Sequence, residues 1–201
     1  MQLLTKLRIL VHLGCVLPLV WLSYVLAIGD ETALGADPIK EIEHFLGYTA
    51  IIIFCVMFVL GIVLQLLNQN QFQILRRPLG LWAFAWAVLH VASYAFLELG
   101  LNFSLLLSEL VTRPYLILGA IAFVILLVMS LTSLPSIKNW LGKRWFTVHQ
   151  FAYVAIICAF VHYYWSVKGF TLPPIIIGIT VAIIVAWKYL GKWVLTRKQA
   201  V

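Results

Sequence analysis

Three histidines stand inside long apolar segments of a chain with few charges: His90 in one segment, His149 and His162 together in another. An imidazole at bilayer depth is costly unless it pairs, moves protons or binds a metal. Two helices that offer histidines at one depth can hold a haem iron from both faces. The chemistry these residues suggest is therefore electron transfer within a membrane. One helical turn from His90 stand Trp86, Ala87, Ser93 and Tyr94, and beside His162 stand Cys158, Ala159 and Ser166. Ala83 and Ala155 lie two turns before the respective histidines. Such small residues either leave room for a flat macrocycle or let helices approach closely, and the sequence leaves both open.

His149 has Trp145, Ala152 and Tyr153 around it, near one end of its segment. A second iron there needs a partner about fourteen residues before His90, roughly four helical turns away. That position is Arg76, which cannot ligate iron. An inner haem then uses another ligand, or the inner site holds something else. Arg76, Arg77, Lys143 and Arg144 fall at the same rim. They suit haem propionates or a flavin phosphate, and equally the ordinary basic edge of a membrane protein. His44, next to Glu43, reads as an interfacial histidine or a haem neighbour, and His12 as a packed or propionate-facing one.

The elements that must position these residues follow from composition. Hydrophobic residues make up 64% of the 201-residue chain, charged residues 10%, and the mean hydropathy is +1.04. A soluble domain has roughly 25% charged residues. Long apolar runs without alternation exclude a β-barrel, so the expected fold is all-α, an integral membrane bundle of single-domain extent over residues 1–201. Six spans of bilayer length are expected at about 7–28, 45–67, 78–97, 114–134, 147–167 and 172–190. The first is too long an apolar stretch for a signal peptide and reads as a retained helix. A short interfacial helix is expected at about 101–110.

The net charge of +7 reads as topology rather than nucleic-acid binding. With both termini in the cytoplasm, Lys6, Arg8, Arg76, Arg77, Lys138, Lys143, Arg144, Lys188, Lys192, Arg197 and Lys198 fall inside. Only Lys40, Arg113 and Lys168 fall outside, a strong positive-inside bias. All seven acids, Asp30, Glu31, Asp37, Glu41, Glu43, Glu98 and Glu109, fall on the outer side. In this frame His90 and His162 share a depth in the outer half, and His149 lies about 20 Å inward along its helix. Cys15, Cys55 and Cys158 lie within spans and read as small hydrophobes. The chain has no CxxCH, so any haem is held without a covalent link.

At these residues the sequence resembles a known family. The blocks ALGADPIKEIEHFLG, RRPLGLWAFAWAVLHVASYAFLELG, LVTRPYLILG, LGKRWFTVHQFAYV and HYYWSVK are together similar to the MsrQ (YedZ) family, over about residues 7–193. Its members are haem-binding membrane subunits of bacterial MsrPQ methionine sulfoxide reductase systems. They share a ferric-reductase-like transmembrane domain with NADPH oxidases. The resemblance implies haem iron ligation by His90, His149 and His162. It implies haem b, one or two, and FMN as cofactors. It also implies a place in the bacterial inner membrane, quinol or a flavin reductase as donor, and a periplasmic molybdopterin reductase, MsrP, as acceptor. Such a chain is an electron-transfer subunit rather than the catalytic one. NADPH oxidases carry a second histidine on the third helix where Arg76 stands here, which puts a standard two-haem stack in doubt. The chain also lacks a GxGxxG and is not expected to bind NADPH. The competing readings are a cytochrome b subunit of a different reductase, of ferric reductase type, and a transporter or scaffold without haem. The absence of mid-membrane carboxylates weighs against a proton-coupled carrier.

The charge bias makes a direct prediction. A fluorescent protein fused after Val201 should fold and fluoresce in cells, and alkaline phosphatase fused at the same point should be inactive. Active phosphatase there would reverse the topology.

Overall fold

The computed structural model describes residues 2–29, 31–167 and 171–199. Asp30 and Lys168, counted above as outer charges, lie outside the described residues, as do the side chains of Glu31, Lys192, Arg197 and Lys198. The helices are α1 (Gln2–Ile28), α2 (Pro38–Leu66), α3 (Arg76–Ser93), α4 (Phe103–Thr112), α5 (Pro114–Thr132), α6 (Pro135–Leu141), α7 (Arg144–Gln150), α8 (Ala152–Ser166) and α9 (Leu172–Gln199). Among the described residues there is no strand. Six segments are long and apolar enough to cross a bilayer, as expected: Gln2–Ile28, Pro38–Leu66, Asn70–Glu98, Pro114–Thr132, Arg144–Ser166 and Leu172–Gly191.

Local chemistry explains where the boundaries depart from expectation. α2 starts early, at Pro38, because the Asp37 carboxylate accepts from Lys40 N at 3.2 Å while proline takes the first helical position. The third span does not end as a plain α-helix. It widens into a π-helical turn, Tyr94–Glu98, closed by Leu99 N donating to Tyr94 O at 3.0 Å. The fifth span is broken at Phe151, whose N–H donates to Val148 O at 3.1 Å in a tightened turn, so α7 and α8 are separate helices. No proline or glycine marks that break in the sequence. The expected interfacial helix is α4, capped by Asn102 accepting from Leu105 N at 3.1 Å. Its Phe103, Leu107 and Val111 are exposed at helical spacing, an apolar stripe suited to the lipid boundary. The short α6, begun by Pro135 and ended at Gly142 (φ +52°), was not expected.

The bundle is held by two close helix pairs, α2 on α3 and α5 on α8, with α9 filling in against α2 and α8. Trp86, Phe54, Ile156 and Ile184 are fully enclosed between them. Ala83 and Ala155 have no exposed surface, so these small residues do serve close packing in this structure. α1 stands at the edge, with Leu13, Leu17, Val20 and Tyr24 exposed, a surface that lipid covers. Trp86 ties α1 in by donating its indole N–H to Cys15 O at 3.0 Å.

Replacing Trp86 by alanine opens a cavity and removes the second donor to that carbonyl, which keeps its own helical hydrogen bond. Because lipid is itself apolar, the cavity supplies most of the cost, on the order of 3 kcal/mol. Titration with sodium dodecyl sulfate should show an earlier unfolding midpoint. An unchanged midpoint would mean that α1 is held by other contacts.

Candidate functional site

His90 on α3 and His162 on α8 come together as expected: their ring centres are 6.1 Å apart and their planes cross at 67°. Each ring is fixed in the same way by a neighbouring helix. His90 Nδ1 lies 3.0 Å from Glu43 O on α2, and His162 Nδ1 lies 2.8 Å from Tyr115 O on α5. A carbonyl can only accept, so each Nδ1 carries the proton, and each neutral ring keeps a lone pair on Nε2. That is the tautomer of a metal-ligating imidazole whose other nitrogen is held by a backbone oxygen.

Both contacts depend on a glycine four residues after the carbonyl. A Cβ at Gly47 would stand 3.1 Å from His90 Nδ1, and one at Gly119 would stand 2.8 Å from His162 Nδ1. In a helix the carbonyl of residue i points toward residue i+4. A ring that donates to it from the side therefore lies over position i+4, where a side chain would block it. Sequence reasoning missed these two glycines. The available signal was their cost: a glycine inside an apolar helix gives up about 1 kcal/mol against alanine and so asks for a packing reason. Two further polar atoms near the outer site were also missed. Glu43 Oε1 and Tyr94 Oη are buried without a hydrogen-bond partner.

Among the described residues no three His, Cys, Asp or Glu side chains converge on one point. A metal held by His90 and His162 must bring its remaining ligands with it, as a macrocycle does. Two imidazole–metal bonds of about 2 Å on opposite faces of one ion put the ring centres roughly 6 Å apart. The observed 6.1 Å fits.

His149 sits at the other end of α5. Its Nε2 is 3.3 Å from Thr132 Oγ1, and its ring lies against Trp145 with centres 3.9 Å apart. From Tyr115 to Thr132 α5 spans about 25 Å, so the two histidine sites are well separated, as the spacing implied. The Thr132 hydroxyl already donates to Val128 O at 2.8 Å, so it accepts from His149 Nε2. His149 is thus held in the opposite tautomer to the other two, with Nδ1 as its lone-pair nitrogen.

The four basic residues expected at the inner rim are not brought to one point. Arg76 turns into the bundle beside Gly61, Gln65, Tyr153 and Trp187, where a cavity of about 20 Å3 remains. Its Nε is buried without a partner, and a Cβ at Gly61 would come within 2.9 Å of it. Trp187 and Gln73 donate to Gln65 Oε1 and Gly61 O at 2.8 and 2.9 Å and close this polar pocket. Arg77 faces another way, donating to Ser133 O at 2.7 Å and lining a crevice against α1. Lys143 and Arg144 are exposed.

A paired-histidine site at the shared end of two helix pairs defines a membrane protein of the ferric-reductase type. Residues 46–160 match the family described as "Ferric reductase like transmembrane component". That match takes in Gly47, His90, Gly119 and His149 and stops two residues short of His162. Within it, the chain belongs to the MsrQ family. It is 53% identical to the protein-methionine-sulfoxide reductase heme-binding subunit MsrQ of Pasteurella multocida, over 86% of this chain and 84% of that protein. Against the subunit of the same name from Cronobacter sakazakii it is 44% identical, over 94% and 95% of the two chains. Against that of Klebsiella pneumoniae it is 41% identical, over 91% and 90%.

The glycine contacts predict a graded response. Gly119→Ala, with the closer clash, should cost about 1–3 kcal/mol, and Gly47→Ala should cost less. Gly14→Ala, where nothing lies within 4 Å of the new Cβ, should be neutral or slightly stabilising. Detergent unfolding midpoints of the three variants check the order. Equal midpoints for all three would remove the steric role of Gly119.

Proposed function

We propose that this chain is the haem-binding electron-transfer subunit of a protein-methionine-sulfoxide reductase. In this reading His90 and His162 would hold the iron of a b-type haem through their free Nε2 atoms. The observation that carries the reading is the imidazole pair at 6.1 Å, both rings with Nδ1 tied to a carbonyl and Nε2 left free. A haem bound there supplies a one-electron couple inside the membrane. The chain's residues do the rest. The carbonyls of Glu43 and Tyr115 set the tautomer and orientation of the ligating rings. Gly47 and Gly119 let the rings reach those carbonyls. The surrounding apolar helices keep water from the site.

His149 serves an inner cofactor in this reading, through Nδ1. Arg76 is the buried cation this reading offers to an anionic group of that cofactor, a haem propionate or the phosphate of FMN. The cavity beside Arg76, about 20 Å3, holds one water molecule, so neither group fits the pocket as Gln65 and Trp187 close it. Either would reach Arg76 only if that contact opened. Electrons enter from quinol or from a flavin reductase on the cytoplasmic side. They leave at the outer end, near the His90–His162 pair, for a periplasmic molybdopterin partner of the MsrP kind in the bacterial inner membrane.

Reduced-minus-oxidised spectra of the haem-reconstituted protein in mild detergent test the assignment. The wild type should show a sharp α band that disappears in His90→Ala and in His162→Ala. In His149→Ala the outer-site band should remain. A wild type that takes up no haem, or an α band that survives both outer substitutions, would overturn the reading. Reoxidation of the dithionite-reduced protein by an added MsrP-type subunit with methionine sulfoxide tests the partner.

A further inference from the structure

A crevice of about 490 Å3 lies between α1 and α3, away from the histidine pair and independent of the haem reading. Its polar lining is Arg8, His12, Arg77 and Trp82, and Ile74 and Leu81 are among its apolar walls. Arg8 and His12 are one turn apart on α1, and Arg77 is the second residue of α3. Among the described residues no carboxylate lines the crevice.

Arg8, His12 and Arg77 present donors to this crevice. The Trp82 indole N–H donates to His12 Nδ1 at 2.8 Å. His12 Nδ1 is therefore an acceptor already in use, and the ring's own proton lies on Nε2. Arg77 is anchored through one nitrogen on Ser133 O at 2.7 Å and keeps further N–H groups free. Guanidinium groups have no acceptor. The complement to such a lining is an anion with several acceptor oxygens. Because the remaining walls are apolar and the crevice opens between transmembrane helices, that anion must be the polar end of an amphiphile.

We propose that the crevice binds the phosphate head group of an anionic phospholipid, with an acyl chain along the Leu81 side of α3. A zwitterionic lipid would bring an ammonium group that finds no carboxylate here. A neutral quinone head would gain nothing from two guanidinium groups, and a free phosphate would leave the apolar wall uncovered. Basic pockets between helices at a charged rim are known to select anionic head groups. The site also explains how the first turns of α1 are held. The buried residues of α1 are Cys15, Leu22 and Val25, all beyond the crevice. At its level the two helices meet through the His12–Trp82 hydrogen bond, and a lipid bridging Arg8 and Arg77 would complete the contact.

Native mass spectrometry of the detergent-purified full chain, titrated with phosphatidylglycerol or phosphatidylcholine, provides the test. The wild type should retain one phosphatidylglycerol at least tenfold more tightly than phosphatidylcholine. Arg8→Gln with Arg77→Gln should lose that preference. Lys143→Gln with Arg144→Gln, which removes the same charge from the same rim, should keep it. Phosphatidylglycerol with brominated acyl chains gives a second reading. It should quench tryptophan fluorescence more than brominated phosphatidylcholine, and the excess should vanish in Trp82→Phe. Equal retention of the two lipids, or equal loss in both double variants, would overturn the proposal. So would displacement of the lipid by glycerol 3-phosphate, which would mark a small-anion site, or by a short-chain quinone.

Discussion

A hydrogen bond from an imidazole Nδ1 to a helix carbonyl, made once on α2 and once on α5, is the contact on which the outer site depends. Inside a bilayer a helix carbonyl is already engaged by its own i+4 N–H, and a second donor must approach from the side. The ring then lies over residue i+4, and in both places that residue is glycine: Gly47 after Glu43, Gly119 after Tyr115. The same solution serves both halves of the bundle. α2 supports the histidine of α3, α5 supports the histidine of α8, and these are the two closest helix pairs of the fold.

The inner end is built differently. Thr132 donates its hydroxyl hydrogen bond to Val128 O and accepts one from His149 Nε2, so a side chain rather than a backbone carbonyl sets that tautomer. Trp145 covers the ring and anchors to Thr132 O at 3.1 Å, with the Lys138 ammonium 4.8 Å above its indole. Nearby, Arg76 lies among Gln65, Gln73 and Trp187 without an anion. A buried guanidinium with an unmatched Nε is expensive. The two ends of one α-helical bundle thus present two kinds of site: a matched pair of imidazoles at one, a single imidazole with a cation at the other.

Solvent outside the bundle decides how the rest can be held. Lipid gives apolar side chains little reason to turn inward, so exposed leucine, isoleucine and valine cover α1, α5 and α9. Cohesion comes from close fit and from polar contacts that have no water to compete with them. Ala83 and Ala155 at full burial, Trp86 on Cys15 O, and Trp187 on Gln65 are contacts of that kind.

The sequence by itself determined the number of spans, because hydropathy over about twenty residues is a property of the chain and needs no partner. It also determined that His90 and His162 share a depth, because helical rise converts residue counts into distance. The family followed from the blocks around those residues, and relatives 41–53% identical over most of the chain bear it out. Only the tertiary structure decided what holds the rings. Glu43 and Tyr115 act through backbone oxygen, which no residue type announces, and Gly47 and Gly119 act by lacking a side chain. It decided that Arg76 and Arg77, adjacent in sequence, face a closed pocket and an open crevice, since neighbouring helical positions point about 100° apart. It also decided the break at Phe151, which no helix-breaking residue marks.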